Sequence, residues 1–140
     1  MKIKIVKKFD KGVFLDVSEL LFDWWKKKHT LQMSDFKNVI KHDYLICVFD
    51  GKKVVGIATL VPVQKLSNLR GSIEHVIVDK NYRGQGLGRM LMEHALKLSK
   101  KLNMQSVFLT CDPKNTVANT LYKKMGLRLE SIHFYSKKLK

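Results

Sequence analysis

The sequence predicts an α/β (α+β) fold in a single domain, residues 1–140. Three observations carry that expectation. Short alternating or β-branched runs recur along the chain and read as strands. Between them lie stretches with apolar residues at helical spacing. A glycine-rich turn at residues 84–88 stands where a β-branched run ends and an amphipathic helix begins. At 140 residues the chain has the size of one domain around one core.

The elements follow in order. Residues 2–7 alternate lysine with apolar side chains and read as an edge or hairpin strand. Val13, Phe14, Val17, Leu20, Leu21, Trp24 and Trp25 share a helical spacing, so a helix is expected over 13–29. Asp16 or Ser18 is its candidate N-cap, and Ser34 is placed to cap a second helix over 35–41. Residues 44–49 read as a strand, Asp50-Gly51 as a hairpin turn, and 53–63 as its partner. Residues 71–78 form the central strand. The stretch 87–102 is amphipathic, with Leu87, Met90, Leu91, His94, Leu98 and Leu102 near one helical face. A strand follows over 105–110, then a helix over 116–125 closed by Gly126. Residues 127–129 and 132–138 complete the series as strands.

Composition narrows the class. Hydrophobic content of 45% is ordinary for a soluble globular chain. No apolar run approaches the ~18–20 residues a membrane span needs, so no membrane partner is expected. The first eight residues alternate charged and apolar side chains and lack the apolar core of a signal peptide. Cys47 and Cys111 sit in strand-like runs and read as free thiols of a reducing, cytoplasmic compartment. The formal net charge is +15, from 23 lysines and 4 arginines against 12 acids. The lysines are scattered, which describes a solvated coat; nucleic acid is not the expected partner, although the field favours an anionic ligand. His29, His42, His75, His94 and His133 show no metal-ligand spacing, so no metal is expected.

The glycine-rich turn has the chemistry of a phosphate site. Free N–H groups point outward at a helix N-terminus, and the helix dipole favours negative charge there. Gly84, Gly86 and Gly88 let the backbone approach a ligand without a Cβ in the way. Arg83 adds a cation whose fork suits phosphate oxygens. The spacing is G-x-G-x-G. Arg89 stands where the dinucleotide fingerprint needs its third glycine, and no Gly-Lys-Ser/Thr follows as a P-loop requires.

Val76-Ile77-Val78-Asp79, followed by Arg83-Gly84-Gln85-Gly86-Leu87-Gly88, closely resembles the acetyl-CoA signature of the GNAT N-acetyltransferases, R/Q-x-x-G-x-G/A. Downstream, Asn115, Ala118, Leu121, Tyr122 and Gly126-Leu127 resemble the second signature of that family, with Leu127 in place of the usual Phe. The resemblance covers roughly residues 44–138. It implies a GNAT-type mixed, mostly antiparallel sheet of six to seven strands. About four helices flank that sheet on both faces, and its central strands splay. It also implies acetyl-CoA as co-substrate. Main-chain groups of Val76, Ile77 and Val78 would hold the pantetheine arm. Arg83, Gly84, Gln85, Gly86, Leu87, Gly88 and Arg89 would form the pyrophosphate cradle. Asn115, Asn119 and Tyr122 match positions that contact CoA, although Asn115 equally suits a helix cap.

Such chemistry needs a proton acceptor, because a primary ammonium cannot attack a carbonyl. It also needs help for the departing thiolate. The resemblance makes Glu74 the first candidate base and His75 the second. Strand alternation puts them on opposite faces. Tyr122 is the candidate acid, with a phenol pKa of ~10, above that of a thiol. Cys111 has no histidine or cationic neighbour in sequence, so direct transfer in a ternary complex is expected over an acyl-cysteine route. The acceptor is expected to be a small-molecule or peptide amine. Trp24, Trp25, His29 and residues 64–68 match the regions that form the acceptor site in that family, and the two indoles equally suit a core. A homodimer is compatible with all of this. Segments 71–78, 109–115 and 134–139 are also similar to glucosamine-6-phosphate N-acetyltransferases. Those usually carry Asp where His75 stands and a shorter Asn-to-Tyr spacing, which makes an amino-sugar phosphate the alternative acceptor. A reading of another class is a non-catalytic CoA- or nucleic-acid-binding protein on the same fold.

Overall fold

A computed structural model describes residues 1–140 as two compact units, Met1–Leu109 and Thr110–Lys140. The first holds a five-stranded sheet in the order β1 (Lys2–Val6), β2 (Tyr44–Asp50), β3 (Lys53–Gln64), β4 (Leu69–Val78), β5 (Ser106–Phe108). The first four strands run antiparallel to their neighbours, and β5 runs parallel to β4. Helices α1 (Lys11–Trp24), α2 (Met33–His42) and α3 (Leu87–Lys101) belong to this unit. The mixed α/β class is as expected from the sequence.

The sheet is buried on both faces. On one, Val13, Val17, Leu20 and Leu21 of α1 and Phe36 and Ile40 of α2 pack on Leu45, Cys47, Phe49, Val54, Ile57 and Ile77. Strand alternation sends Ile46, Val48, Val55, Ala58 and Leu60 to the other face, where α3 brings fully buried Leu91, Met92 and Ala95. Each such aliphatic side chain contributes about 1.5–3 kcal/mol by leaving water. The alternating runs of β2 and β3 therefore read as near-continuous apolar segments.

Several local expectations are corrected. Asp10, not Asp16 or Ser18, caps α1: its Oδ1 accepts from Val13 N at 2.9 Å. Asp16 instead accepts from Val54 N at 2.9 Å and ties α1 to the start of β3. The first helix stops at Trp24, short of the expected residue 29. Lys26 and Lys27 both turn left-handed, with φ of 55° and 64°, and fold the chain back on the helix end. Helix α2 begins at Met33 with no side-chain cap, so Ser34 lies inside it. The strand expected over 105–110 shortens to three residues.

In the second unit, α4 (Thr116–Lys124) ends as expected at Gly126, whose φ is 88°. The strands expected over 127–129 and 132–138 do not form, so the sheet has five strands rather than six or seven. A strand exists only as one side of a ladder, and these residues have no ladder partner. Leu129, Ile132, Phe134, Tyr135 and Leu139 are accordingly exposed.

Candidate functional site

The most informative local feature lies in β4. Between two paired positions β3 advances two residues, Ile57 to Thr59, while β4 advances three, Glu74 to Ile77. One residue of β4 is therefore extra, a β-bulge at His75-Val76. His75 accommodates it with φ of 49°, left-handed and strained for a residue with a Cβ.

The bulge decides which way the two candidate bases face. Ile57 and Ile77 belong to the core under α1 and α2. Thr59 lies two residues on from Ile57, hence on the same face, and it pairs with Glu74. The His75 ring is 5.5 Å from that of Trp24 and 6.2 Å from that of Trp25, both edge to face at the end of α1. Glu74 and His75 thus converge on the α1 side. The expectation that they occupy opposite faces fails because the extra residue resets the alternation.

Each carboxylate and ring here has a defined setting. Half-buried Glu74 accepts through Oε1 from the buried Ser72 hydroxyl at 2.6 Å, a short charge-assisted bond. Partial burial of the ring lowers the His75 pKa, against the opposing pull of the Glu74 charge, while the residue as a whole stays exposed beside the two indoles. It is neutral at pH 7 and can accept a proton. Trp25 also meets the His29 ring at 4.5 Å, and Trp24 leaves 52% of its surface exposed. Lys26 and Lys27 follow directly. Three of the four non-glycine residues with positive φ therefore gather at this one place. Such strain persists only where the surroundings enforce it, and it concentrates at functional sites.

Downstream, the sheet opens. The ladder between β4 and β5 covers only Arg70–Ser72 and stops at Ser72↔Phe108. From Ile73 to Val78 that side of β4 carries no strand partner, which is the expected splay beside Val76–Val78. Ile77 itself points into the core, so only its main chain faces the opening. A short 3₁₀ turn, Lys80–Tyr82, then leads into the glycine loop. Tyr82 Oη donates to Asp50 Oδ2 at 2.7 Å and Lys53 lies 3.8 Å from Asp79, so the β2–β3 hairpin anchors this turn.

The loop has the form a phosphate cradle needs. Gly84 and Gly86 adopt φ of 77° and 78°, and a Cβ built on either would point into open space. Gly86 is the N-cap of α3 and offers no capping side chain. The N–H groups of Leu87, Gly88 and Arg89, in the first turn, are left to face outward. Leu87 buries its side chain and so contributes backbone alone. Arg83 Nε donates back to Val78 O at 3.2 Å, which holds its guanidinium beside the loop. Arg89 pairs with Glu93 at 2.8 Å on the exposed helix face.

The second unit holds the remaining candidates. Tyr122 is half-buried, and burial, then the neighbouring Cys111, raises its pKa. It stays a protonated donor well above neutral pH. Asn115 Oδ1 accepts from Ala118 N at 3.2 Å and caps α4. Asn119 Nδ2 donates to Asp112 O at 2.9 Å and to Asn115 O at 2.8 Å, so it fastens the turn before that helix. Both asparagines thus have structural work that the sequence pattern alone does not distinguish from ligand contact. Burial and then Asp112 raise the Cys111 pKa, which disfavours a nucleophilic thiolate. Burial pushes the Cys47 thiol up to about 12.

Comparisons with known proteins are consistent with this geometry. The profile of the acetyltransferase (GNAT) family matches residues 14–127. A glucosamine 6-phosphate N-acetyltransferase of Arabidopsis thaliana is 31% identical over 96 residues, covering 64% of this chain and 62% of that protein. A peptidyl-lysine N-acetyltransferase of Salmonella typhimurium is 39% identical over 57 residues, or 41% of this chain and 36% of that protein. The matches thus span less than two thirds of the length of these curated relatives. Among solved structures, an aminoglycoside acetyltransferase from an uncultured soil metagenomic sample superposes with a TM-score of 0.85 at 19% identity. That superposition covers 98% of this chain and 95% of the other. At such identity the superposition speaks for the fold alone.

Proposed function

The chain belongs to the GNAT acetyltransferase family, and from that premise we propose that it moves an acetyl group from acetyl-CoA to a primary amine by direct attack. The observation that carries the reading is the β4 bulge, which turns Glu74 and His75 to one face beside an open stretch of the same strand. The family match runs through both units and supports reading residues 1–140 as one acetyltransferase domain. No helix is long and apolar enough to cross a membrane. The free thiols of Cys47 and Cys111 suit a reducing, cytoplasmic setting.

The residues present fit acetyl-CoA. The amides at the start of α3, with Gly84, Gln85 and Gly86, would bind its pyrophosphate, and Arg83 would balance the charge. The open main chain of Val76–Val78 would hydrogen-bond the pantetheine arm. When bound, the thioester supplies an activated acetyl group. Glu74 takes the proton that an ammonium must lose, directly or through water, and Ser72 fixes the carboxylate for that task. His75, neutral beside the indoles, is the second acceptor of a proton. Tyr122 donates to the departing thiolate, because its phenol remains protonated where a thiolate forms. Trp24, Trp25 and His29 line the acceptor side.

An assay of free-CoA release over amines, amino sugars and peptides tests the reading. Turnover is expected with at least one amine, and Glu74→Gln should lower kcat about 10²-fold or more. Tight acetyl-CoA binding with no thiol release over the whole panel would favour the non-catalytic alternative. An amino-sugar phosphate is the second acceptor reading. It is supported by the relatives named for glucosamine 6-phosphate from three organisms. Turnover confined to glucosamine 6-phosphate would establish it over the broader panel.

A further inference from the structure

A second surface lies far along the sheet from β4, at the edge formed by β1. This strand pairs with β2 alone, so its other side presents unpaired N–H and C=O groups. A groove of about 750 Å³ runs beside it, and Lys4–Lys8 line it as five consecutive residues. Its walls are apolar, from Val6 and Val13. Its rim carries Lys4, Lys7, Lys8 and Lys52 against one carboxylate, Asp10. That carboxylate is already committed to the N-cap of α1. The groove is therefore cationic, lies between the start of α1 and β1 with Phe49, Gly51 and Lys52, and adjoins the strand whose outer side carries free main-chain groups.

We propose that this edge binds an extended acidic peptide by strand addition. Main-chain hydrogen bonds to β1 would supply affinity, and alternate acidic side chains would meet the rim lysines. Two of those lysines are held by ring contacts: Lys4 Nζ lies 4.7 Å from the centre of the Phe49 ring, and Lys7 Nζ lies 4.0 Å from that of Tyr44. Lys8 and Lys52 have no ion-pair partner. The same lysines repel a second copy of this edge, as edge lysines commonly do. Pairing of two β1 edges is thereby disfavoured while a strand of opposite charge is accepted. The proposal is independent of the acetyltransferase reading, since none of its residues belongs to that site.

The test uses the full chain and a fluorescein-labelled peptide alternating Glu and Val. Saturable binding is expected by anisotropy, weakened by salt and lowered at least tenfold by Lys4→Glu, Lys8→Glu and Lys52→Glu combined. Amide hydrogen exchange should slow within residues 2–8 on binding. A peptide with the same charges but N-methylated at alternate residues should bind at least tenfold more weakly, a result that does not depend on any protein variant folding. Absence of binding overturns the proposal. So does equal affinity of the N-methylated peptide, or a single-stranded RNA that competes equally and leaves the amides unprotected.

Discussion

Ser72 is the residue whose role depends most on three-dimensional contact. Its hydroxyl holds the Glu74 carboxylate at 2.6 Å from a buried position. Ser72→Ala should lower kcat about 10- to 100-fold, since a charge-assisted bond is worth ~1.5–3 kcal/mol. The KM for acetyl-CoA should hardly change, and Ser72→Thr should restore most of the rate. A drop in KM and kcat together, unrescued by Thr, would assign Ser72 to packing instead. Tyr122→Phe tests the acid. A steady loss of kcat at every pH below the tyrosine's raised pKa is expected, and unchanged kcat would reject the role. His75 makes a prediction for stability. Its folded pKa is lowered, so its contribution is fully present above 6.5 and is lost as the pH falls through the folded value. Melting curves from pH 8 to 5 should show a larger loss of Tm for the wild type than for His75→Gln. The family resemblance nominates Glu74, His75 and Tyr122 from the sequence. It does not nominate Ser72, because nothing in a serine two residues from a glutamate says that its hydroxyl is buried and bonded to the carboxylate.

At the scale of elements, the glycine loop and α3 were legible because backbone conformation and residue type are linked there. Gly84 and Gly86 take the left-handed region, and the helical spacing after them is strong. Gly86→Ala places a Cβ in open space but forces it into that region, at roughly 1–2 kcal/mol. The expected outcome is a raised KM for acetyl-CoA with kcat at saturation within about threefold, read from initial rates. The bulge in β4 could not be foreseen. Bulges of this kind are often marked by glycine. This one falls on His75, and it is fixed by the pairing with β3 and by the indoles of Trp24 and Trp25. The left-handed turn at Lys26-Lys27 is equally silent in sequence, since lysine carries no preference for that conformation. The strands expected after Gly126 show the opposite error. Their alternation satisfies one condition for a strand, but the ladder partner that completes it is a tertiary fact.

For the whole molecule, charge is the dominant global property. The chain carries 27 cations against 12 acids and forms three ion pairs, each at least partly exposed. Self-repulsion should be relieved by screening as the Debye length shrinks from ~30 Å at 0.01 M to ~10 Å at 0.1 M salt. A rise in Tm with added NaCl over that range is expected, and a fall would show that the exposed pairs outweigh the repulsion. The sequence by itself determined the class of fold, the glycine loop, the family resemblance and the cationic surface. Each of these rests on residue type and local spacing. Only the tertiary structure decided that Glu74 and His75 share a face, that Ser72 holds the carboxylate, that β4 opens beyond its third paired residue and that β1 leaves a cationic edge. Those depend on register between strands distant in sequence, where one inserted residue reverses the direction of a side chain and no local pattern records it.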